Sequence, residues 1–199
     1  MERENLTLPF KRYADDSVCH CRSQSQAEEL WKQLKKRMKE VGLELHPEKT
    51  KIVYCKDGKR SEDFPSISFD FLGYTFRPRI SKNWRGEFFI NFTPAISNKA
   101  AKAIRQTSRK WRWSRRTDKD LEELARMFNP VIQGWINYYG RFYKSALFPA
   151  LECLNRRLVI WAMRKYKRLR GHPRRAARWF SRIVRREPEL FAHWRILYA

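Results

Sequence analysis

Two adjacent carboxylates behind an aromatic, Tyr13-Ala14-Asp15-Asp16, are the residues of this chain that most resemble a chemical centre. They lie between a short apolar run, Leu8-Pro9-Phe10, and an alternating one, Ser17-Val18-Cys19-His20-Cys21. That pattern predicts a β-hairpin whose turn concentrates hard anionic oxygen. The same letters also describe an ordinary acidic turn, because Asp bonds its local backbone and tolerates unusual φ. A Cys19-His20-Cys21 metal site is a poor alternative: i and i+2 on a strand face one side with His20 opposite, and no second pair has zinc spacing.

The second chemical feature is charge. Of 199 residues, 44 are basic and 21 acidic, a formal net charge of +23. A surplus of that size repels itself in a compact monomer and points to a polyanion, nucleic acid before an anionic membrane surface. No stretch is long and apolar enough to span a bilayer, and the first 16 residues mix both signs, so neither a membrane helix nor a signal peptide is expected. The four cysteines include no C-x-x-C pair, which suggests reduced thiols and a cytosolic protein. The cations are not evenly spread. Residues 1–98 hold 18 basic and 14 acidic residues, residues 99–186 hold 25 and 5, and no acid falls between Glu152 and Glu187.

The elements that must position these groups fall into two halves. In front, Ser25 and Glu28 form a capping box for a helix over 26–41, with Ala27, Leu30, Trp31, Leu34, Met38 and Val41 as its apolar stripe and Lys32, Lys35, Lys36 and Lys39 outside. A loop His46-Pro47-Glu48-Lys49 leads to an alternating run over 50–55, and strands are expected over 66–76 and 87–92. Behind, Ser97 caps a helix reaching Trp113, and Thr117 with Asp120 caps a second. Asn129-Pro130 opens a third, a fourth runs over about 147–170, and a fifth over about 174–186 turns Ala177, Phe180 and Val184 inward. Arg105, Arg109, Lys110, Arg112, Arg115 and Arg116 load the first of these helices and its exit. Arg164, Lys165, Lys167, Arg168, Arg170, Arg174, Arg175, Arg178, Arg182, Arg185 and Arg186 load the last two. A solvated face mixes both signs; one without acids suits phosphate, and arginine forks suit structured RNA.

Taken in order, Tyr13-Ala14-Asp15-Asp16, Gly42-Leu43-Glu44-Leu45-His46-Pro47-Glu48-Lys49-Thr50-Lys51, Phe71-Leu72-Gly73-Tyr74, Gly134-Trp135-Ile136-Asn137-Tyr138-Tyr139 and Trp161-Ala162-Met163-Arg164-Lys165-Tyr166 resemble the later palm motifs, thumb and maturase domain of group II intron reverse transcriptases. The resemblance covers nearly the whole chain and the back half of the family's protein. It implies an α+β fold: a partial polymerase palm (β-hairpin, helix, short strands) over 1–93, thumb-like helices over 94–128, and an all-helical maturase-specific domain over 129–199. It also implies that Asp15 and Asp16 are the acidic pair that holds Mg²⁺ with a further aspartate from an earlier motif, that Tyr13 is the aromatic beside them, and that Lys49 lies near the incoming nucleotide. The strand at Phe71 resembles the primer-gripping region.

Two departures qualify this. His46 stands where the family commonly has Asn. The fingers and the first metal aspartate have no counterpart here, and Asp57, Glu62, Asp63 and Asp70 lack the context to replace it. The expectation is therefore a truncated intron-encoded protein, bacterial and cytoplasmic or organellar. It belongs to a mobile genetic element, binds structured intron RNA and in second place DNA to assist splicing, and does not polymerise alone. Two alternatives stand beside it. A separately encoded N-terminal half restores the Mg²⁺ site and reverse transcription, or the chain is a generic basic nucleic-acid-binding protein.

Overall fold

A computed structural model of the chain describes residues 8–60 and 62–198. Residues 1–7, where the first expected unit starts, Ser61 of the polar loop and Ala199 lie outside the described residues.

The front of the molecule is built of small pieces. β1 (Phe10–Tyr13) pairs antiparallel with β2 (Asp16–Cys19), from Phe10↔Cys19 to Tyr13↔Asp16. α1 (Gln24–Glu40) starts two residues earlier than its sequence suggests, because Ser23 caps it in place of Ser25, accepting from the Gln26 N–H. Its apolar stripe is half-buried at most, and none of its residues is fully buried. The alternating run 50–55 does not become a strand. A strand needs a partner, and Tyr54 N finds Ser66 O at 2.8 Å while the neighbouring Pro65 has no N–H to extend the pairing.

The expected strand 66–76 is likewise a hairpin. β3 (Phe69–Phe71) turns at Leu72-Gly73 into β4 (Tyr74–Lys82), which pairs along its length with β5 (Phe88–Ile96). Both turn residues have positive φ, 50° and 78°, as the twist of a two-residue turn requires. Leucine rarely adopts this conformation, and it is held from outside. The Tyr138 hydroxyl donates to Leu72 O at 2.9 Å, and Ser97 N donates to Gly73 O at 2.9 Å. The Tyr74 hydroxyl donates to the Tyr138 carbonyl, and its ring lies among those of Tyr138, Tyr139 and Phe142.

The helical half contains nearly all of the core. α2 (Asn98–Lys110) is capped by Ser97 as expected, and a 3-10 turn follows at Trp113–Arg115. α3 (Leu121–Tyr139) opens on an Asp120/Glu123 capping box and runs straight through Asn129-Pro130, so the second and third expected helices are one. Asn129 is not a cap: its Nδ2 donates to Leu190 O at 2.9 Å and its Oδ1 accepts from Ala192 N at 3.0 Å. Pro130 removes only the bond to the carbonyl of Arg126, an exposed residue where water can replace it. α4 (Phe148–Lys165) stops at Tyr166, whose backbone is extended, and a second 3-10 turn at Lys167–Leu169 takes the place of its expected last turn. In α5 (Pro173–Arg186) it is Ala176, not Ala177, that lies inward with Phe180, Ile183 and Val184; Ala177 sits one position further round the helix and is exposed.

These helices enclose Trp113, Leu124, Ile132, Leu154, Leu158 and Trp161, and Trp111 stacks between Phe128 and Trp135 at 4.4 and 5.3 Å. The core is closed by the C-terminal segment with α6 (Trp194–Leu197), which sequence periodicity does not reveal. Buried Asn155 accepts from Trp194 Nε1 at 3.0 Å through the same oxygen that lies 2.8 Å from His193 Nε2, which makes Nε2 the protonated nitrogen of that ring. His193 Nδ1 has no hydrogen-bond partner among the described residues.

Two predictions follow from these contacts. A Cβ at Gly73 would sit 3.1 Å from Tyr139 Oη on a φ of +78°, so Gly73→Ala should lose about 1–3 kcal/mol in urea denaturation. Burial pushes the His193 pKa from 6.5 down to about 3. The unfolded chain therefore takes up a proton that the folded chain refuses, so this contribution to stability is whole above pH 6.5 and is lost progressively as the pH falls toward 3. His193→Gln should flatten the fall in melting temperature between pH 7 and 5 relative to wild type, a difference of order 2 kcal/mol at pH 5.

Candidate nucleic-acid interface and the acidic hairpin

The acidic pair sits at the tip of the β1–β2 hairpin. Ala14, with φ of 52°, and Asp15 make the turn, and Asp16 opens β2, so one carboxylate stands on the turn and one on the strand rather than both on the turn. Arg12 Nε braces the bend by donating to Ala14 O at 3.0 Å. Asp15 and Asp16 are exposed, with no cation at ion-pair distance among the described residues, and Tyr13 is 64% exposed. Lys49 is exposed in the turn after His46, where Thr50 N donates to His46 O at 2.9 Å, and among the described residues no hydrogen bond or ion pair of its side chain joins it to the hairpin. Two neighbouring carboxylates have the hard oxygens Mg²⁺ prefers, but among the described residues no group of three or more His, Cys, Asp or Glu side chains could hold a metal. Asp63 is engaged by Lys56 at 2.7 Å and Asp70 accepts from the Thr75 hydroxyl, so neither supplies the third acid. Burial raises the thiols of Cys19 and Cys21, which keeps them protonated and unlike metal ligands.

The basic half divides into cations with a structural task and cations facing solvent. Lys165 extends from the end of α4 to the carbonyls of Thr117 and Lys119, at 3.1 and 2.6 Å, with its ammonium 5.5 Å from the Trp161 ring centroid. Arg116 donates through Nε to Trp111 O at 3.0 Å and lies over the Phe128 ring. Both hold the loop between α2 and α3, a task that a charge count along the sequence cannot show. Arg175 reaches back to the Arg168 carbonyl at 3.3 Å.

The others are uncommitted. Arg105, Arg109, Lys110, Arg112 and Arg115 on α2 and its exit are exposed, as are Arg164 at the end of α4, Lys167, Arg168 and Arg170 around the 3-10 turn, and Arg174 and Arg178 on α5. Among the described residues none of these has a carboxylate within ion-pair distance; the ion pairs of this half fall on Lys119, Arg186 and Arg195. Buried Leu169 anchors the 3-10 turn, so the cations on either side of it project from a fixed point. Arg157, within α4, was not singled out by the sequence; its Nε is 3.2 Å from the Ser108 hydroxyl, and only that tertiary contact marks it.

Comparison with known proteins gives two family matches. The model described as reverse transcriptase (RNA-dependent DNA polymerase) matches residues 2–76, and the model described as group II intron, maturase-specific domain, matches residues 101–180. No curated protein and no solved structure matches.

The division of labour among the cations is testable by stability alone. Lys165→Met should lose about 1–2 kcal/mol in urea denaturation, through two lost carbonyl contacts. Arg164→Met, one position earlier and exposed, should stay within about 0.5 kcal/mol of wild type.

Proposed function

We propose that this chain, which belongs to the group II intron-encoded reverse transcriptase and maturase family, acts through its helical half as an RNA-binding maturase. It binds structured intron RNA and assists its splicing. The observation that supports this best is the set of uncommitted arginines and lysines on α2, the end of α4 and α5, all lying within the residues matched by the maturase-specific model. Each cation that meets a phosphate releases a counterion, and a surface without carboxylates is free to do so. In this reading residues 1–93 are a partial palm, 94–128 thumb-like helices and 129–199 the maturase domain. Asp15 and Asp16 with Tyr13 are the retained acidic pair of an RNA-directed DNA polymerase, and Lys49 belongs to the later palm. No helix of the described residues is long and apolar enough to cross a membrane, which fits a nucleic-acid partner.

The enzymatic alternative is that a separately encoded N-terminal half completes the Mg²⁺ site with a further aspartate. It is favoured by the retained pair, which has no third carboxylate beside it among the described residues and would need one from elsewhere. The 199-residue chain with primer-template, deoxynucleotides and Mg²⁺ should give no extension product above background. Extension abolished by Asp15→Ala would reverse that assignment.

The maturase reading is tested by salt. Affinity for structured intron RNA should fall steeply with ionic strength, and changing Arg164, Lys167, Arg168 and Arg170 together to Gln should flatten the slope by about one phosphate per cation in contact. Four matched changes at Lys32, Lys35, Lys36 and Lys39 on α1 should matter less. Equal losses from both sets, with no preference for intron RNA over an unrelated RNA of equal length, would leave only a generic polyanion binder.

A further inference from the structure

Between the end of α2, the Trp113–Arg115 turn and the middle of α4 lies a cleft of about 280 Å³. Its polar lining is Arg109, Arg112, Arg115, Arg157 and the Ser114 residue; Trp113 and Ile160 supply the apolar part, and among the described residues no acidic one lines it. We propose that this cleft is a built site for one phosphodiester unit of the bound RNA, distinct from the diffuse charge of α5. The inference rests on the RNA-binding reading above and names the position at which the backbone is gripped.

Three observations converge on it. The first is convergence of cations. Arg112 precedes the 3-10 turn and Arg115 ends it, and both line the cleft together with Arg109 of α2 and Arg157 of α4. The second is positioning. Arg157 is steered by the bond from its Nε to Ser108 Oγ, and Ser108 is itself fully buried and tied to the Arg105 carbonyl at 2.9 Å. That contact uses one donor of the guanidinium and leaves its terminal NH₂ groups free of protein acceptors among the described residues, as are the side chains of Arg109, Arg112 and Arg115. Four like charges have been brought to one cleft with no carboxylate among the described residues to hold them there, and an external anion resolves that repulsion.

The third is backbone strain. Arg112 has φ of +51°, a left-handed conformation that glycine would adopt without cost. A long cation is carried at a position where the fold alone would favour glycine. The volume suits one sugar-phosphate unit: exposed Ile160 offers apolar surface to a ribose, and the arginine forks offer charge-assisted hydrogen bonds to the phosphate.

The experiment uses the full chain. Inorganic phosphate is titrated while the arginine Nε–Hε resonances are followed, and affinity for structured intron RNA is measured at fixed salt for wild type, Arg112→Gly, Arg157→Gln and Arg157→Lys. Phosphate should shift the Arg157 resonance along a saturable curve. Arg112→Gly should weaken RNA binding by about tenfold while its melting temperature stays level or rises, because the strain is relieved as the ligand is lost. Arg157→Lys, which keeps the charge but not the fork, should recover only part of the loss seen in Arg157→Gln. Wild-type RNA affinity in Arg112→Gly and Arg157→Gln, both folded, would overturn the cleft and leave the maturase reading standing. Saturable phosphate binding in a chain with no RNA affinity would overturn that reading instead and leave a bare anion site. Removing the RNA's terminal 5′-phosphate should change nothing; a loss there would overturn the diester assignment in favour of an end-binding site.

Discussion

Like-charge repulsion is the constraint to which the helical half answers. Residues 99–186 carry 25 basic and 5 acidic residues, so carboxylates cannot neutralise the rest. The molecule spends carbonyl dipoles and aromatic faces in their place. Lys165 sits on two carbonyls and near a tryptophan ring, Arg116 on a carbonyl and a phenylalanine, and Arg175 on a carbonyl. The last turns of α2, α4 and α5 each end in two basic residues, where the partial negative charge of the helix terminus favours them. The polar groups admitted to the core are neutral: Ser97, Ser108, Asn155 and an uncharged His193. A buried charge there would add to a field that is already unfavourable.

The two halves meet through tyrosines. Tyr74 and Tyr138, 64 residues apart, exchange hydroxyl bonds across a turn, Tyr74 to the carbonyl of Tyr138 and Tyr138 to the carbonyl of Leu72. Each hydroxyl satisfies a carbonyl that its own element cannot, which is why the strained Leu72-Gly73 turn persists. The sheet thereby reaches the C-terminal end of α3. The front of the chain lacks any such fixture: among the described residues none before Tyr74 is fully buried.

The division into two halves, the Ser97 cap, the hairpin around the acidic pair and the inward Phe180 and Val184 of α5 were legible because each is encoded within a few residues of itself: a change of period, a cap, a two-residue turn, a repeat at three and four. What was not legible was decided at long range. Asn129-Pro130 reads locally as a helix start, but Asn129 is claimed by Leu190 and Ala192 and the helix continues. Phe71-Leu72-Gly73-Tyr74 reads as strand because nothing local announces that Tyr138 will stabilise a left-handed leucine. In the candidate interface the charge run was plain, yet which cations are free and which hold the loop before α3 depends on carbonyls more than forty residues away. Arg157 looked like any polar residue of a helix until Ser108 was seen beside it.

The closing of the core by Phe191, His193 and Trp194 also decides what holds α4 and α5 together. The two helices pack on each other, and Trp194 joins them a second time: its indole N–H bonds Asn155 of α4 at 3.0 Å, and its ring meets Phe180 of α5 edge-on at 5.5 Å. One side chain thus works as a latch, a polar hook on one helix and an apolar stop on the other.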